Sequence, residues 1–198
     1  DVPFSIMSVS KPFVLALVCE AIGPDAVRAQ LGVNATGMAF NSAAAIERSA
    51  DGRTNPMVNA GAIATTSLVP GADAEARWQH IVQGLARFAG RDLAVNAEIY
   101  ASASATNVQN RGLTMLLQAR GRLGSDPVEA LDLYTRQCAL EITARDLAVM
   151  GAPLADGGVN PLTGEQVIAA ETCHYVLAVM ATAGMYETSG DWLYEVGL

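Results

Sequence analysis

The sequence predicts an α+β chain that is predominantly helical, and three observations carry that prediction. Apolar residues recur at helical spacing through most of the 198 residues, Gly and Pro punctuate the stretches between them, and only one early segment, Val2 to Met7, alternates like a strand. From Ser10 to Ile22 the pattern is helical: Pro12 sits in the first turn, where its missing N–H is tolerated, and Gly23-Pro24 closes the segment. The same periodicity predicts helices over Asp25 to Gln30, Pro56 to Leu68, Ala72 to Phe88, Val108 to Arg122, Asp126 to Ala139, Ala144 to Met150 and Ala170 to Ala183. Loops are expected at Gly32 to Phe40, Asp51 to Thr54, Asn96 to Thr106 and Gly151 to Gly164.

A composition of 51% hydrophobic and 16% charged residues suits one globular domain over residues 1–198 with a real core. The mean hydropathy of +0.26 is high for so helical a chain, which should therefore bury surface against a partner subunit or a missing sheet. A net charge of -8 without a basic stretch excludes nucleic acid and anionic membrane surfaces as partners, since either needs clustered Lys and Arg. The longest apolar runs, such as Pro12 to Cys19 and Ala60 to Ala64, fall short of the roughly 20 residues of a membrane span, and the opening residues do not read as a signal peptide. The expected partner is a small molecule or another protein.

Three widely spaced cysteines, Cys19, Cys138 and Cys173, suit reduced thiols in helices and a cytoplasmic setting better than a disulfide framework. With two histidines, His80 and His174, and neither CxxC nor HExxH, no metal site is expected. Cys173 and His174 are adjacent, but neighbours on a helix point about 100° apart, so they do not form a thiol–imidazole pair.

The most informative residue is Lys11, because the 12 basic residues are eleven arginines and this one lysine. Arginine stays charged at any workable pH, whereas a desolvated lysine can lose its proton and act as a base. Ser8 lies three residues earlier, giving SxxK. On the first turn of a helix that spacing brings hydroxyl and amine to one face, within reach of a hydrogen bond, under a positive field that favours neutral lysine and an oxyanion. Ten serines in 198 residues make such a match by chance about one in twenty, so the context of strand, SxxK and apolar helix has to add weight. The alternative at this point is a capping serine followed by a surface lysine.

Further segments, FSIMSVSKPF, AFNSAAAIE, NPMVNAGAI, QCALEITARDLA, GVNPLTGE and ATAGMYETSGDWLYEVGL, resemble the serine-dependent glutaminases across nearly the whole chain. The resemblance implies a β-lactamase/transpeptidase-like fold, with much of the sheet outside the sequence given and a catalytic domain incomplete at both ends. It implies Ser8 as nucleophile and Lys11 as its base, Asn59 and Asn110 as substrate contacts, and Tyr134 and Tyr186 as pocket residues that help proton transfer. It implies hydrolysis of L-glutamine to L-glutamate and ammonia through an acyl-enzyme, with no cofactor, in a homo-oligomer, either dimer or tetramer.

The chain departs from the family pattern in three places. Glutamine usually precedes the nucleophile, where this chain has Met7. A glutamate expected seven residues before Asn110, which in the family would pair with the substrate's α-ammonium, is here Ala103; losing such a desolvated partner typically costs about 2–5 kcal/mol. Nearby Glu98 could compensate only if its loop were rebuilt. The KSG-like segment lies beyond Leu198. Two other readings compete. A serine β-lactamase or penicillin-binding enzyme shares SxxK but should also show SxN or YxN and KTG. A catalytically lapsed paralogue acting as a binding or regulatory protein would explain Met7 and Ala103, though not the retention of Ser8 and Lys11.

Overall fold

The computed structural model describes residues 2–197 and is built mainly from helices. In chain order these are α1 (Ser10–Ile22), α2 (Pro24–Leu31), α3 (Ala44–Arg48), α4 (Asn59–Ser67), α5 (Ala74–Ala89), α6 (Ala97–Thr106), α7 (Val108–Ala119), α8 (Pro127–Cys138), α9 (Ala144–Ala155), α10 (Ala170–Ala183) and α11 (Ser189–Val196). Two short strands, β1 (Phe4–Ser5) and β2 (Glu141–Ile142), pair antiparallel, with Phe4 opposite Ile142 and Ser5 opposite Glu141.

Every residue of α1 from Ser10 to Cys19 is buried. A helix without a solvent face has no reason to be amphipathic, which is why Phe13 to Cys19 reads as an unbroken apolar run. Helices α2, α4, α5 and α10 pack around it. The ring centroids of Phe13 and Phe88 lie 5.1 Å apart. Gly84 lets α5 approach closely, since a Cβ there would lie 2.4 Å from a methyl of Leu17. Among the described residues no single helix is long and apolar enough to cross a membrane.

Helix starts follow local chemistry. Asp73 and Asp126 accept backbone hydrogen bonds at the N-termini of α5 and α8, and Pro127 occupies the first turn of α8. Thr143 and Asp146 form a reciprocal capping box on α9. Asp146 also receives two hydrogen bonds from Arg91, at 2.9 and 2.6 Å, which tie α9 to the end of α5 and hold its carboxyl well below the usual carboxylate range.

Several expectations need correction. The strand predicted over Val2 to Met7 is confined to Phe4–Ser5; the chain then tightens into a 3-10 turn at Met7–Val9, where Val9 N donates to Ile6 O at 3.2 Å. The segment Asn96 to Thr106 is not a loop but α6. Asn96 caps it by accepting from Ile99 N at 2.9 Å, and its alanines favour helix; with no residue of α6 buried, there is no apolar stripe to reveal it. Helix α9 continues through Gly151 and Pro153 to Ala155, its start fixed by the capping box. Helices α3 and α11, of 5 and 8 residues, are too short to show a period and were not anticipated.

The segment after α8 is held on both sides. Leu140 O accepts from Ile6 N, Ala94 O accepts from Glu141 N, and Ala139 O accepts from Asn96 N, each at 2.8 Å. This clamp fixes the end of α8 beside the chain that leads into Ser8. On the opposite flank, α4 starts directly against the preceding loop: a Cβ at Gly61 would lie 1.8 Å from Asn55 O, a backbone atom that cannot yield cheaply. Gly61→Ala should therefore destabilise the protein by about 3 kcal/mol, at the upper end of overpacking costs, seen as a fall in the denaturant midpoint with an unchanged m-value. Wild-type stability in that variant would show that the contact is not rigid.

Candidate active site

Ser8 is the middle residue of the 3-10 turn that runs into α1. It is half-buried between two exposed neighbours, Met7 (50%) and Val9 (44%), so its hydroxyl stands at an accessible surface. Met7 adopts φ +50° and Tyr186 φ +54°; among the described residues these are the non-glycine positions in the left-handed region. Such backbone costs about 1–3 kcal/mol each and persists only where its surroundings enforce it.

Lys11 is 3% exposed, which removes the surface-lysine reading. Its Nζ donates to Met57 O at 2.9 Å and to Asn59 Oδ1 at 2.8 Å, and lies 5.3 Å from the centroid of the Tyr186 ring. Desolvation lowers its pKa to about 8, with the Cys138 thiol pulling the other way. A neutral amine has two hydrogens and one lone pair. The two hydrogens are committed to Met57 and Asn59, which leaves the lone pair as the free valence. The hydrogen bond expected between Ser8 and Lys11 is not formed among the described residues: Ser8 sits in the tighter 3-10 turn, and the amine is drawn toward the α4 acceptors.

Those acceptors are placed by Asn55, the first asparagine of NPMVN, which is 1% exposed. Its side chain accepts from Met57 N at 3.0 Å and Val58 N at 3.3 Å and donates to Asn34 O at 2.9 Å. The turn so formed presents the Met57 carbonyl, and Asn59 one residue after Val58, to Lys11. Asn59 in turn donates through Nδ2 to Asn110 Oδ1 at 3.0 Å, so that Lys11, Asn59 and Asn110 form one chain across α1, α4 and α7. The Asn110 amide NH2 has no protein partner among the described residues.

Tyr134, on α8, points its hydroxyl at Asn59 Oδ1, 3.4 Å away. Burial, followed by the nearby Cys138, holds its pKa well above the usual tyrosine value, against a smaller downward influence from a hydrogen bond with Ser8. Tyr134 is therefore a protonated phenol at neutral pH. Burial also pushes the Cys138 thiol up to about 11 despite Lys11, so it too is neutral. Tyr186, in the turn Tyr186–Thr188 before α11, stacks on Phe40 with ring centroids 5.0 Å apart.

The structure thus gathers Ser8, Lys11, Asn59, Asn110, Tyr134 and Tyr186 from positions spread along the chain. Sequence reasoning did not find the Met57 carbonyl, the orienting role of Asn55, or Cys138. A backbone acceptor leaves no mark on residue identity, whereas the first Asn of NPMVN offered a turn signal that could have been read. Ala103 lies half-buried on α6. Glu98 precedes it by five residues, roughly 140° round the helix axis, and is exposed, so it does not replace the carboxylate missing at Ala103. Among the described residues no carboxylate hydrogen-bonds to any of the six gathered side chains, and no cluster of three His, Cys, Asp or Glu residues is placed to hold a metal ion. All three cysteines are free.

Comparison with known proteins shows the family. A family model described as Glutaminase matches residues 1–198. Glutaminase 2 of Yersinia pestis is 68% identical over 198 residues, covering 100% of this chain and 58% of that protein. The glutaminase of Brucella canis is 50% identical, again over the whole chain and 62% of the relative. The chain thus spans about three-fifths of the length of these curated relatives. Among solved structures, the probable glutaminase ybaS superimposes with a TM-score of 0.97 at 45% identity, covering 100% of this chain and 64% of that one. A probable glutaminase of Bacillus subtilis gives 0.95 at 33% identity, covering 98% and 62%. With a family model matched end to end and the fold shared with solved glutaminases, the chain belongs to the glutaminase family, whose architecture is β-lactamase-like.

Proposed function

We propose that this chain carries the nucleophilic half of an amidohydrolase that cleaves the side-chain amide of L-glutamine to L-glutamate and ammonia. The observation that supports it most is the state of Lys11, a buried amine of pKa about 8 whose hydrogens are both engaged and whose lone pair is free three residues from an accessible serine.

In this reading Lys11 takes the proton of Ser8 as Oγ attacks the amide carbon, and the Ser8 N–H, heading α1, stabilises the developing oxyanion. The C–N bond breaks, the nitrogen leaves as ammonia with the proton returned by Lys11, directly or relayed through the Tyr134 phenol, and a glutamyl ester remains on Ser8. Lys11 then deprotonates the attacking water, and the proton passes to Ser8 Oγ as the ester opens. Asn59 fixes the amine, while the free NH2 of Asn110 is available to a substrate acceptor. The names of the relatives support glutaminase over β-lactamase chemistry. A homo-oligomer in a reducing compartment belongs to the same reading, supported by the free cysteines and by the exposed apolar residues Trp192, Tyr194 and Val196 on α11.

Two outcomes test the chemistry in the full-length protein. Ser8→Ala should abolish ammonia release from L-glutamine while leaving the thermal midpoint within about 2 °C of wild type, because Ser8 is not part of the core; unchanged turnover would remove the nucleophile assignment. The pH profile of kcat/KM should rise to a plateau through a limb near pH 8, since only the deprotonated form of Lys11 accepts the serine proton and protonation dominates below its pKa. A profile flat from pH 6 to 10 would exclude Lys11 as the base.

The lack of a carboxylate at the gathered side chains favours weakened recognition of an α-ammonium, as Ala103 suggests. Met7→Gln combined with Ala103→Glu should lower KM for L-glutamine by about tenfold or more, in line with the value of a desolvated charge partner. No change in KM would show that ammonium recognition is met elsewhere.

A further inference from the structure

A buried polar chain ends on the peptide bond just before Ser8. Thr66 on α4, Gln137 on α8 and Ser10 on α1 are 0%, 1% and 0% exposed. Thr66 Oγ1 lies 3.2 Å from Gln137 Oε1, Gln137 Nε2 donates to Ser10 Oγ at 3.2 Å, and Ser10 Oγ donates to Met7 O at 2.8 Å. The direction of the chain is set by its end: the single Ser10 hydroxyl hydrogen goes to the Met7 carbonyl, so Ser10 can only accept from Gln137, which must face it with its NH2.

The end point carries the meaning. Met7 holds the left-handed φ of +50° that turns the chain into the 3-10 turn. Met7 C=O and Ser8 N–H belong to one planar trans peptide, so they point in opposite directions. The Met7 carbonyl accepts from both the N–H and the hydroxyl of Ser10, and drawing it onto Ser10 turns the Ser8 N–H the opposite way and sets the rotation of Ser8 itself. An apolar trio would fill this interior without the cost of burying polar groups, so buried polar residues that end on this carbonyl have a use beyond packing.

We infer that Ser10 and Gln137 are positioning residues that hold the Met7–Ser8 peptide in its strained orientation and so present the nucleophile and its N–H to the substrate. The inference rests on the reading of Ser8 as nucleophile, and it assigns a task to the second serine of SVSK and to the glutamine beside Cys138. Neither residue touches substrate or Lys11, so their loss acts on the geometry of attack and not on the base.

The test compares wild type with Ser10→Ala, Ser10→Thr and Gln137→Leu in the full-length protein, by two separate readouts. The first is the rate at which a fluorophosphonate labels Ser8, followed by intact mass; the second is ammonia release from L-glutamine. Ser10→Ala should slow labelling and lower kcat by about 100-fold, the scale of a misplaced reacting group, with KM within about twofold and the limb near pH 8 unmoved. Gln137→Leu should act in the same direction by about tenfold, and Ser10→Thr, which keeps the hydroxyl, should recover most of the rate. Wild-type labelling by folded Ser10→Ala overturns the inference whatever the ammonia assay gives. So does failure of Ser10→Thr to recover any rate while folded, because loss would then follow packing and not the hydrogen bond. Slowed labelling in the variants with no ammonia release from wild type would leave the positioning role standing and remove the glutaminase reading instead.

Discussion

The burial of one amine organises this molecule. A lysine withdrawn from water is costly unless its hydrogens are met, and here two are met, by Asn59 on α4 and by Met57 in the loop before it. That requirement reaches outward. Met57 O faces Lys11 because Asn55 folds the preceding loop into a turn; Asn55 lies under α4 because residue 61 is glycine; and Asn59 is held from its other side by Asn110 on α7. The helices surrounding α1 are therefore bound to one another through the amine as well as through apolar contact. The same burial that demands these partners also lowers the pKa to about 8, so the need for partners and the access to a neutral amine have one origin.

A second constraint acts on the serine. The hydrogen bond that an ideal helix would give Ser8 and Lys11 is absent in this 3-10 turn, and the left-handed residue before Ser8 is held locally by Ser10, whose N–H and hydroxyl both donate to Met7 O. Further support comes from Gln137 on α8, which donates to Ser10, and from the clamp of residues 139–142 between residues 4–6 and 94–96. Strain at Met7 is thus maintained by the core, as expected of backbone kept out of its preferred region at a reactive position. Tyr186, the other left-handed residue, lies over Lys11 and stacks on Phe40, whose carbonyl accepts from Asn59 N at 2.8 Å. Both strained residues thus border the same polar cluster.

Much of the helical framework was legible in the sequence, and the reasons differ by element. Helices α1 and α10 fall on their expected bounds because glycine follows the last residue of each: Gly23-Pro24 ends the first, and Gly184 caps the second. Helix α6 was hidden because its serines and threonine read as loop while its alanines carry the helix without a buried face. In the site, side chains were legible and backbone was not. Lys11 stood out as the sole lysine, and Asn59, Asn110, Tyr134 and Tyr186 through their motifs. The Met57 carbonyl, the turn at Met7 and the depth of Lys11 depend on three-dimensional packing, which no residue type encodes alone.

Ser10 illustrates the boundary between the two kinds of information. In sequence it is one of the two unspecified positions of SxxK, and a serine there reads as a helix N-terminus. In the fold it does not cap α1, whose N-cap is Val9 with no side-chain hydrogen bond. Its hydroxyl instead reaches back three residues to a carbonyl outside the helix, and it is itself held by a glutamine 127 positions away. A local motif became a long-range one because the Met7 carbonyl, which already accepts from Ser10 N–H, takes a second hydrogen bond from the hydroxyl, and that hydroxyl accepts in turn from Gln137. A hydroxyl that would serve a surface helix by capping serves this buried one by holding the peptide from which its reactive serine is suspended.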